Sequence, residues 1–529
     1  MIDVLIEGGT IVDGSGNPGY RGSVAIIGDN LHVSRIKITE SEAKRTIDAT
    51  GLVVAPGFID MHSHAGLVIL EDSKHEAKVR QGVTTELIGV DGNSYAPFLD
   101  PNDLEEFIAF NAGLDGHPSI NPDWATVAEY LTRFDKHVSL NIAFVVGNTA
   151  LRIGALGWDS TGAGVEALKD MRAMLRSAME EGAFGVSTGL DYPPGSHATT
   201  DELVELAEES AALGGIYHTH VRYQLDDQFL DPFHEAIDIG RRSGCPVHIT
   251  HFYRRVNAPG GARRLLELVE LATDEGLDVT FDAYPYPYNS SRLLILLPLW
   301  VQNGRPSAIK ERLRDESVRK RLRHDVEVRG RRYGGENVWN TIRLGYFAQP
   351  ENLQYEGKTL AFVMEDRNLD PADAICELLI SENFRVNEVA SAPDPATLPL
   401  FIQHPLGMVG SDSVFIGEHP SPRTYGSFPK ILGDLVREER LLTLPEAIRK
   451  MTSYPAQCLG IMDRGLVRDG FKADLVLFDP AEVGSRATYQ NPKVYPDGIP
   501  YVIVNGELVI DGDQHTAATP GRALRRRSL

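Results

Sequence analysis

The sequence predicts an α/β fold, a (β/α)8 TIM-like barrel accompanied by a small β domain that is built from both chain termini. Short strand-like runs separated by Gly, Asn and Asp turns fill the first 55 residues, and the same texture returns between residues 473 and 511. Between these segments, short apolar runs alternate with longer helical patterns, which is typical of βα units and a parallel sheet. Because chain termini often lie close together, we expect the two β-rich ends to pair into one sheet domain.

Eight apolar runs in the central segment are the predicted barrel strands. They read GFIDMH near residue 58, VTTELIG near 83, NIAFVVG near 141, FGVST near 184, GIYHTH near 215, PVHITH near 246, DVTFDAY near 278 and GMVGSD near 407. Helical patterns with apolar residues at three-to-four spacing follow several of them, for example GVEALKDMRAMLRSAMEEG and TTDELVELAEESAALG. Eight strands with interleaved helices predict the barrel.

These patterns also predict the domain boundaries. The small β domain is expected to comprise residues 1–55 and 460–515, and the barrel residues 56–459. The interval between the seventh and eighth strands is too long for one loop, and its charged middle indicates an inserted helical subdomain at residues 287–350. Residues 516–529 form a basic tail that we expect to be frayed or loosely docked.

Composition excludes several classes of partner. The 529 residues include 52 basic and 74 acidic side chains, a formal net charge of −22, which disfavours binding to nucleic acid and to anionic membrane surfaces. No apolar run reaches the roughly 18 residues needed to span a bilayer. Three scattered cysteines indicate a reducing compartment, and the chain opens on a strand-like pattern without a leader, so we expect a cytoplasmic protein. The sequence leaves open whether it forms a homo-oligomer.

Histidines gather at the predicted strand ends. His62 and His64 end the first run, and residues i and i+2 of a strand project to the same side, so their two imidazoles can chelate one metal ion. Other runs end similarly: His218 and His220 in the fifth, His248 and His251 in the sixth, and Asp412 in the eighth. All of these fall at carboxyl ends of strands, where the active sites of this barrel lie.

An ordered series of motifs along the chain resembles the amidohydrolase superfamily, and within it the N-acyl-D-amino-acid deacylases, or D-aminoacylases. The superfamily resemblance rests on GLVVAPGFIDMHSH and its C-terminal counterpart GFKADLVLFDP. The narrower one rests on GVTTELIG, EEGAFGVSTGLDYPPG, YHTHVR, HITHF, FDAYPYPY, YEGKTL, GSDS, EHPSPRTYGSFPKILG and TSYPAQCLG. The resemblance covers residues 3 to about 515. It implies a distorted barrel with a β-sandwich formed by both chain ends, and a metal-dependent hydrolase activity.

The resemblance also implies roles for individual residues. His62, His64, His220 and His251 correspond to the metal-binding histidines, and Asp412 to the catalytic aspartate after the eighth strand. We interpret His218 and His248 as structural. Other positions resemble those of the substrate site, as follows: Tyr192, Arg222, Tyr253, Tyr284, Ser290, Ser291 and Arg423.

One departure from the family concerns the metal. The family usually has a Gly-Asn-Cys-Gly segment whose cysteine binds metal, and this chain has Asp91 in the place of that cysteine. A carboxylate can bridge or ligate a divalent ion but is a harder ligand than a thiolate. We therefore predict that Asp91 ligates or bridges the metal; the alternative is a loop residue that caps a turn. Zn²⁺ is the expected cofactor, as one or two ions, with Mn²⁺ or Co²⁺ as alternatives.

A second departure concerns the substrate. In the family, a lysine follows the sixth-strand histidine and is thought to hold the substrate carboxylate. In this chain Tyr253 replaces that lysine, and a tyrosine supplies no charge. Either an arginine takes the carboxylate (Arg222, Arg292 or Arg423), or the substrate has no carboxylate there.

Three functional hypotheses follow for this chain. The first is hydrolysis of the amide of an N-acyl-D-amino acid or related N-acyl compound, a small-molecule substrate, by a metal-generated hydroxide with Asp412 as general base and then acid. The second keeps the site but assumes a neutral, cyclic (hydantoin- or imide-like), dipeptide-like or xenobiotic amide. The third is a non-catalytic binding protein on an amidohydrolase barrel.

Overall fold

A computed structural model describes residues 1–36, 38, 43–158, 161–223, 229–255, 260–334 and 337–526, apart from the side chains of residues 331–334. Within these ranges no helix is long and apolar enough to cross a membrane. The last three residues of the expected basic tail, 527–529, lie outside the described residues.

Eight parallel strands form the barrel, and they coincide with the eight predicted runs. Their bounds are Phe58–Asp60, Val83–Ile88, Asn141–Phe144 continued by Val146–Gly147, Gly185–Gly189, Ile216–His220, Val247–Ile249, Val279–Ala283 and Gly407–Val409. Neighbouring strands pair in parallel register, and the two parts of the third strand belong to different sheets, of three and six strands. A parallel bridge between Ser63 and Ser413 joins the first and eighth strands. The prediction of a distorted (β/α)8 barrel is confirmed.

Helices surround the barrel because their apolar stripes pack on the strands. The helix Val165–Glu180, for example, buries Met171, Leu175, Ala178 and Met179 on one side. In the described residues, the α- and π-helices around the barrel are Val68–Glu71, Glu76–Val79, Pro101–Asp115, Val127–Thr132, Asn148–Leu156, Val165–Glu180, Thr200–Ala212, Asp231–Ser243, Ala262–Asp274, Leu398–Gln403, Arg423–Lys430, the π-helix Ile431–Glu438, Leu444–Met451 and Ser453–Leu459.

The two chain ends share a small domain of two sheets. One sheet contains Ile2–Glu7, Ser23–Ile27, Asn30–Ser34 and Ala43–Asp48. The other contains Thr10–Ile11, Tyr20–Arg21, Val53–Pro56, Leu475–Phe478, Tyr501–Val504, Glu507–Asp511 and Gln514–His515. Val53–Pro56 pairs antiparallel with Leu475–Phe478, and Ile6, Leu475 and Ile503 pack in one apolar core. The predicted pairing of the two chain ends is therefore present.

The segment between the seventh and eighth strands forms a separate layer. It contains the helices Pro306–Arg314, Glu316–Gly334, Val338–Thr341, Leu360–Arg367 and Pro371–Ser381. It also contains an antiparallel sheet of Tyr288–Arg292, Arg343–Tyr346 and Asn387–Ser391, with Asn387–Ser391 in the middle. We expected helices and a boundary at residue 350, but the middle strand continues the layer beyond it. The polar run of Tyr288–Arg292 lacks the apolar alternation that indicates a strand.

Candidate metal centre

Six candidate metal ligands meet at the carboxyl ends of the barrel strands, and none of these residues is more than 7% exposed. They are His62, His64, Asp91, His220, His251 and Asp412. Each lies at the end of a strand or in the loop that follows it. The structure therefore brings together all six residues that the sequence predicted as ligands.

The first group of donors gathers around Asp91 and Asp412. His62 Nε2 is 3.4 Å from Asp91 Oδ2 and 3.5 Å from Asp412 Oδ1. His64 Nε2 is 3.7 Å and 3.3 Å from the same two oxygens. Ligand atoms of the four residues all lie within 4.8 Å of one another, so they can hold a metal ion.

A second group shares the carboxylate of Asp91 with the first. Asp91 Oδ2 is 3.6 Å from His220 Nδ1 and 3.9 Å from His251 Nε2. The rings of His220 and His251 are in hydrogen-bond contact, at 2.9 Å between these nitrogens. Asp91 is thus a member of both groups and would contribute to either ion.

Three of the six donors have strained backbones. Asp91, His251 and Asp412 have φ angles of 52°, 34° and 49°, in the left-handed region that residues other than glycine seldom adopt. Such conformations cost on the order of 1–3 kcal/mol each and persist where the surrounding structure imposes them, often at functional sites.

The charges and unfilled hydrogen-bonding capacity of the group fit a cation. Burial opposes protonation of His62, but Asp91 and Asp412 overcome it and raise its pKa well above the usual value. Burial would raise the pKa of Asp91, but His62 and His220 lower it well below the usual range. Among the described residues, neither ring nitrogen of His62 has a hydrogen-bond partner, nor do Asp91 Oδ1 and His251 Nδ1. Buried polar atoms seldom stay unsatisfied, and a divalent cation would satisfy the lone pairs of His62 Nε2 and Asp91 Oδ1.

Carboxylates orient the histidine rings from behind. His64 Nδ1 is 2.7 Å from Asp115 Oδ1, whose other oxygen accepts a 2.5 Å hydrogen bond from Tyr95. His220 Nε2 is 3.4 Å from Asp191. Such partners fix the tautomer and direction of a ligating imidazole. Neither aspartate was assigned a role from the sequence, because Asp115 ends a helix and Asp191, although it follows the fourth barrel strand, carries no spacing that relates it to His220.

His218 and His248 form a third group, with Asp282, deeper in the barrel. His248 Nε2 is 3.0 Å from Asp282 Oδ2, and His218 Nε2 is 3.1 Å from the carbonyl oxygen of Met61. Asp282 also accepts a 2.7 Å hydrogen bond from the backbone N–H of His251, and its Oδ2 is 3.7 Å from His62 Nδ1. These donors could hold an ion, but their contacts instead support the ligands above them. Asp282 stands in the quoted FDAY motif and was not singled out.

Arg423 is the predicted substrate residue in direct contact with the donors. Its Nη1 is 2.6 Å from Asp412 Oδ2, and its guanidinium carbon lies 4.4 Å above the ring of Tyr284. Tyr253 completes this side, since its ring centroid is 5.9 Å from that of Tyr284 and 6.1 Å from that of His251. The structure therefore groups Tyr253, Tyr284 and Arg423 beside the donor cluster.

The side of the donor cluster next to His220 is lined by Tyr192, and Ser290 and Ser291 lie near Tyr192. The ring centroid of Tyr192 is 5.1 Å from that of His220, and its hydroxyl is 3.1 Å from Ser291 Oγ. Ser290 Oγ donates a 3.1 Å hydrogen bond to Asn387.

Arg222 does not join these residues. Its Nε and Nη2 donate to Glu235, and its Nη1 and Nη2 donate to the carbonyl oxygens of Ser196 and Ala198. This geometry does not support the expectation that Arg222 binds substrate, because its donors are occupied by its own chain. Glu235 lies on the following helix, and no sequence pattern predicts that it pairs with Arg222.

Glu388, in the middle strand of the inserted sheet, is buried beside this region. Burial raises the pKa of its carboxyl to about 8, although the nearby charge of Arg423 opposes the shift. Within the described chain, Oε2 has no hydrogen-bond partner. Glu388→Gln is expected to raise the free energy of unfolding by about 4 kcal/mol at pH 8, because the carboxyl loses its proton near pH 4.5 in the unfolded chain and only near pH 8 in the folded chain.

The gain in the free energy of unfolding of Glu388→Gln over wild type should therefore grow as pH rises from about 5 to 8. Thermal unfolding midpoints of wild type and Glu388→Gln at both pH values measure it, with Glu166→Gln, at an 86% exposed side chain, as the control. An equal difference at the two pH values would contradict the assignment.

The chain is similar in sequence to a known protein family and to deacylases within it. The model of the Amidohydrolase family matches residues 45–294 and 394–510. An N-acyl-D-aspartate deacylase of Alcaligenes xylosoxydans xylosoxydans is 33% identical, over 99% of this chain and 95% of that protein. A D-aminoacylase of the same organism is 32% identical, over 99% of this chain and 98% of that protein.

Solved structures agree with these sequence matches. The crystal structure of the N-acyl-D-glutamate deacylase from Bordetella bronchiseptica, complexed with zinc and a phosphonate mimic of the tetrahedral intermediate, superimposes with a TM-score of 0.83. It is 30% identical in sequence and covers 99% of this chain and all of that one. The similarity therefore extends over the barrel, the split β domain and the insertion together.

Proposed function

The chain belongs to the amidohydrolase family, and from this premise we propose that it is a metal-dependent hydrolase that deacylates N-acyl-D-amino acids. The bond it would cleave is a non-peptide carbon–nitrogen amide bond. The observation that carries the proposal is the convergence of six buried metal donors with a buried arginine, Arg423, on Asp412. The non-catalytic alternative loses support because proteins that abandon catalysis usually lose ligands, and all six candidates are here.

The donor set fits zinc, as one or two ions. Imidazole nitrogens and carboxylate oxygens are the ligands that Zn²⁺ takes most often after thiolates, and Mn²⁺ or Co²⁺ accepts the same set. His62, His64, Asp91 and Asp412 would hold one ion, and Asp91, His220 and His251 a second. A divalent ion at this position supplies Lewis-acid polarisation of the amide carbonyl and lowers the pKa of water towards 7.

Asp412 moves the proton in the proposed reaction. Burial would raise its pKa, but Arg423, His62 and His64 lower it, so the carboxylate is ionised and can accept the proton of the attacking water. Arg423 fixes Oδ2 at 2.6 Å, which orients Oδ1 towards the histidines. The protonated carboxyl then returns the proton to the leaving nitrogen.

Arg423 also provides the charge that Tyr253 does not. Tyr253 and Tyr284 adjoin the guanidinium, and Tyr284 Oη has no hydrogen-bond partner among the described residues. We infer that the α-carboxylate of the substrate binds here, with Arg423 as cation and the tyrosine hydroxyls as donors.

A screen for amine release tests the proposal. Zinc-reconstituted protein is incubated with paired D- and L-N-acetyl amino acids and with neutral amides such as a hydantoin and a dipeptide-like amide. We expect release from D substrates at rates at least about 10²-fold above those of their L partners, since only one enantiomer aligns its amide with Asp412. Chelator-treated protein is the control. Cleavage restricted to neutral amides would overturn the deacylase proposal in favour of the second hypothesis.

A further inference from the structure

Lys78 is a fully buried lysine on the short helix Glu76–Val79. Its Nζ donates hydrogen bonds to Asp60 Oδ2 at 2.5 Å, to Ser411 Oγ at 2.8 Å and to Ser413 Oγ at 3.3 Å. An ammonium group has three donors, so these three partners use all of them. Lysine is almost never fully buried unless it is paired, and here one carboxylate and two hydroxyls provide the pairing.

The two serines are the immediate neighbours of Asp412 in the chain. Their hydroxyl oxygens are 2.6 Å apart, so both side chains converge on Lys78 from the two sides of Asp412. Asp412 itself has a φ angle of 49°, and its backbone N–H donates a 2.9 Å hydrogen bond to the carbonyl oxygen of His62. A residue in this sparsely populated conformation persists only where its surroundings impose it. The hydrogen bonds of Lys78 to both neighbours are such a constraint.

Asp60 extends the network across the seam of the barrel, where the first and eighth strands meet. In the described residues, each of these strands is the last member of its sheet, and an isolated bridge joins them. Asp60 Oδ1 accepts hydrogen bonds from the backbone N–H groups of His62, at 3.1 Å, and Ser411, at 2.8 Å. A side-chain carboxylate thus connects the two backbones at this seam, and Lys78 compensates its charge.

Glu86, in the second barrel strand, adds a second arm to the network. Its Oε1 accepts a 2.9 Å hydrogen bond from Ser63 Oγ and lies 3.7 Å from Lys78 Nζ, and its Oε2 is 2.9 Å from His75 Nε2. Ser63 lies between the two candidate histidine ligands that follow the first strand. The buried network therefore hydrogen-bonds to the chain neighbours of three candidate metal ligands.

We propose that Lys78 is a positioning residue for the hydrolysis: through Ser411 and Ser413 it holds Asp412 in the backbone conformation that directs Oδ1 towards the metal donors. This inference rests on the proposed deacylase function. Lys78 acts on Asp412 through its neighbours and takes no part in the proton transfer. Its contribution is the placement of the base, and misplacement of a catalytic group by about 1 Å can cost 10²-fold in rate.

The serine hydroxyls are the place to break the network. Lys78→Met would leave Asp60 as an unpaired buried charge, at a cost of about 3–5 kcal/mol, whereas Ser411→Ala/Ser413→Ala keeps that ion pair. With the zinc-loaded double variant and the best substrate of the amine-release screen, we expect kcat to fall about 10- to 100-fold. KM and zinc bound per chain should stay within about twofold of the wild-type values, because the side chains that bind substrate and metal are unchanged.

A buried serine elsewhere provides the matched control. Ser210→Ala removes an equally buried hydroxyl on the helix Thr200–Ala212 and should keep the wild-type kcat. The single variants Ser411→Ala and Ser413→Ala each remove one tether and should each lose part of the rate, so the test stands even if the double variant unfolds. Wild-type kcat in both single variants would overturn the proposal.

A double-mutant cycle separates positioning from general stabilisation. In the Asp412→Asn background, loss of the serine hydroxyls should lower the residual kcat no further, because the base that they hold is already absent. A network that merely stabilises the fold would lower kcat by the same factor in both backgrounds. Such additivity would contradict the positioning role.

Crystal structures decide the inference independently of turnover. In the zinc-loaded double variant, we expect Asp412 to leave the left-handed region and its Oδ1 to move by about 1 Å or more from His64 Nε2, to which the distance is 3.3 Å here. An unmoved Asp412 would refute the role of Lys78 and leave the deacylase function standing. Absence of hydrolysis of every tested amide by the wild type would refute the function, and the position of Asp412 would still decide the role of Lys78.

Discussion

Replacing Asp412 with asparagine is expected to lower kcat for amide hydrolysis about 10²- to 10⁴-fold, because an amide can neither accept nor return a proton. The substitution keeps the size of the side chain, so its contact with Arg423 can persist. Steady-state kinetics on the best substrate of the amine-release screen measures the effect. The exposed Asp463→Asn is the matched control and should retain wild-type rates.

The metal content of Asp412→Asn distinguishes its two candidate roles. His62, His64 and Asp91 remain in the variant, so zinc bound per chain should stay near the wild-type value. A fall in activity that merely parallels a fall in zinc would show that Asp412 acts as a ligand and not as the base. Wild-type kcat in the variant would refute the proposed mechanism.

Asp91→Ala is expected to weaken metal binding by at least about 100-fold and to abolish turnover at micromolar zinc. Loss of a partner that only orients a ligand already costs 10- to 100-fold, and Asp91 Oδ2 belongs to both donor groups. Zinc stoichiometry after dialysis measures the effect, and Asp201→Ala, at an 84% exposed side chain, is the control. Unchanged stoichiometry would refute the ligand role.

Asp91→Cys gives the same position the ligand that is usual in the family. A thiolate is softer than a carboxylate, so the variant should retain zinc while its affinity for Mn²⁺ falls relative to that of the wild type. The ratio of the two dissociation constants, measured by competition, reports this change. If alanine and cysteine at position 91 gave the same ratio, side-chain chemistry at this position would not determine metal preference.

Most of the candidate metal donors were predictable because they close strand runs, whereas Asp91 was identified only through the family resemblance. His62 and His64 share one strand end, and His220 and His251 close apolar runs that also fix the barrel. Asp115 was assigned no function, and Arg292 was only one of three arginines that could take a substrate carboxylate, because the roles of both depend on their neighbours in space. Asp115 ends a helix yet contacts His64, and only the structure shows that Nε and Nη2 of Arg292 have no hydrogen-bond partner among the described residues.

Contacts between distant segments also explain why Arg222 and the inserted sheet differ from what the sequence predicts. Arg222 matches a motif position, but Glu235 and two carbonyl oxygens occupy its donors. In the inserted sheet, Tyr288–Arg292 pairs with Asn387–Ser391. The first of these strands is polar, so no alternation of apolar and polar residues in the sequence indicates it. Local periodicity therefore predicted strands and ligands, whereas contacts between distant segments required the structure.

The pairing of Val53–Pro56 with Leu475–Phe478 has a consequence for the order in which the protein folds during synthesis. Val53–Pro56 leads directly into the barrel strand that precedes His62 and His64, yet its partner strand is translated only after the eighth barrel strand. Farther on, Leu524 donates a backbone hydrogen bond to Ile142 in the third barrel strand. A nascent chain therefore lacks the partner of Val53–Pro56 until Leu475–Phe478 emerges, so this sheet of the small domain can form only after all eight barrel strands have been synthesised.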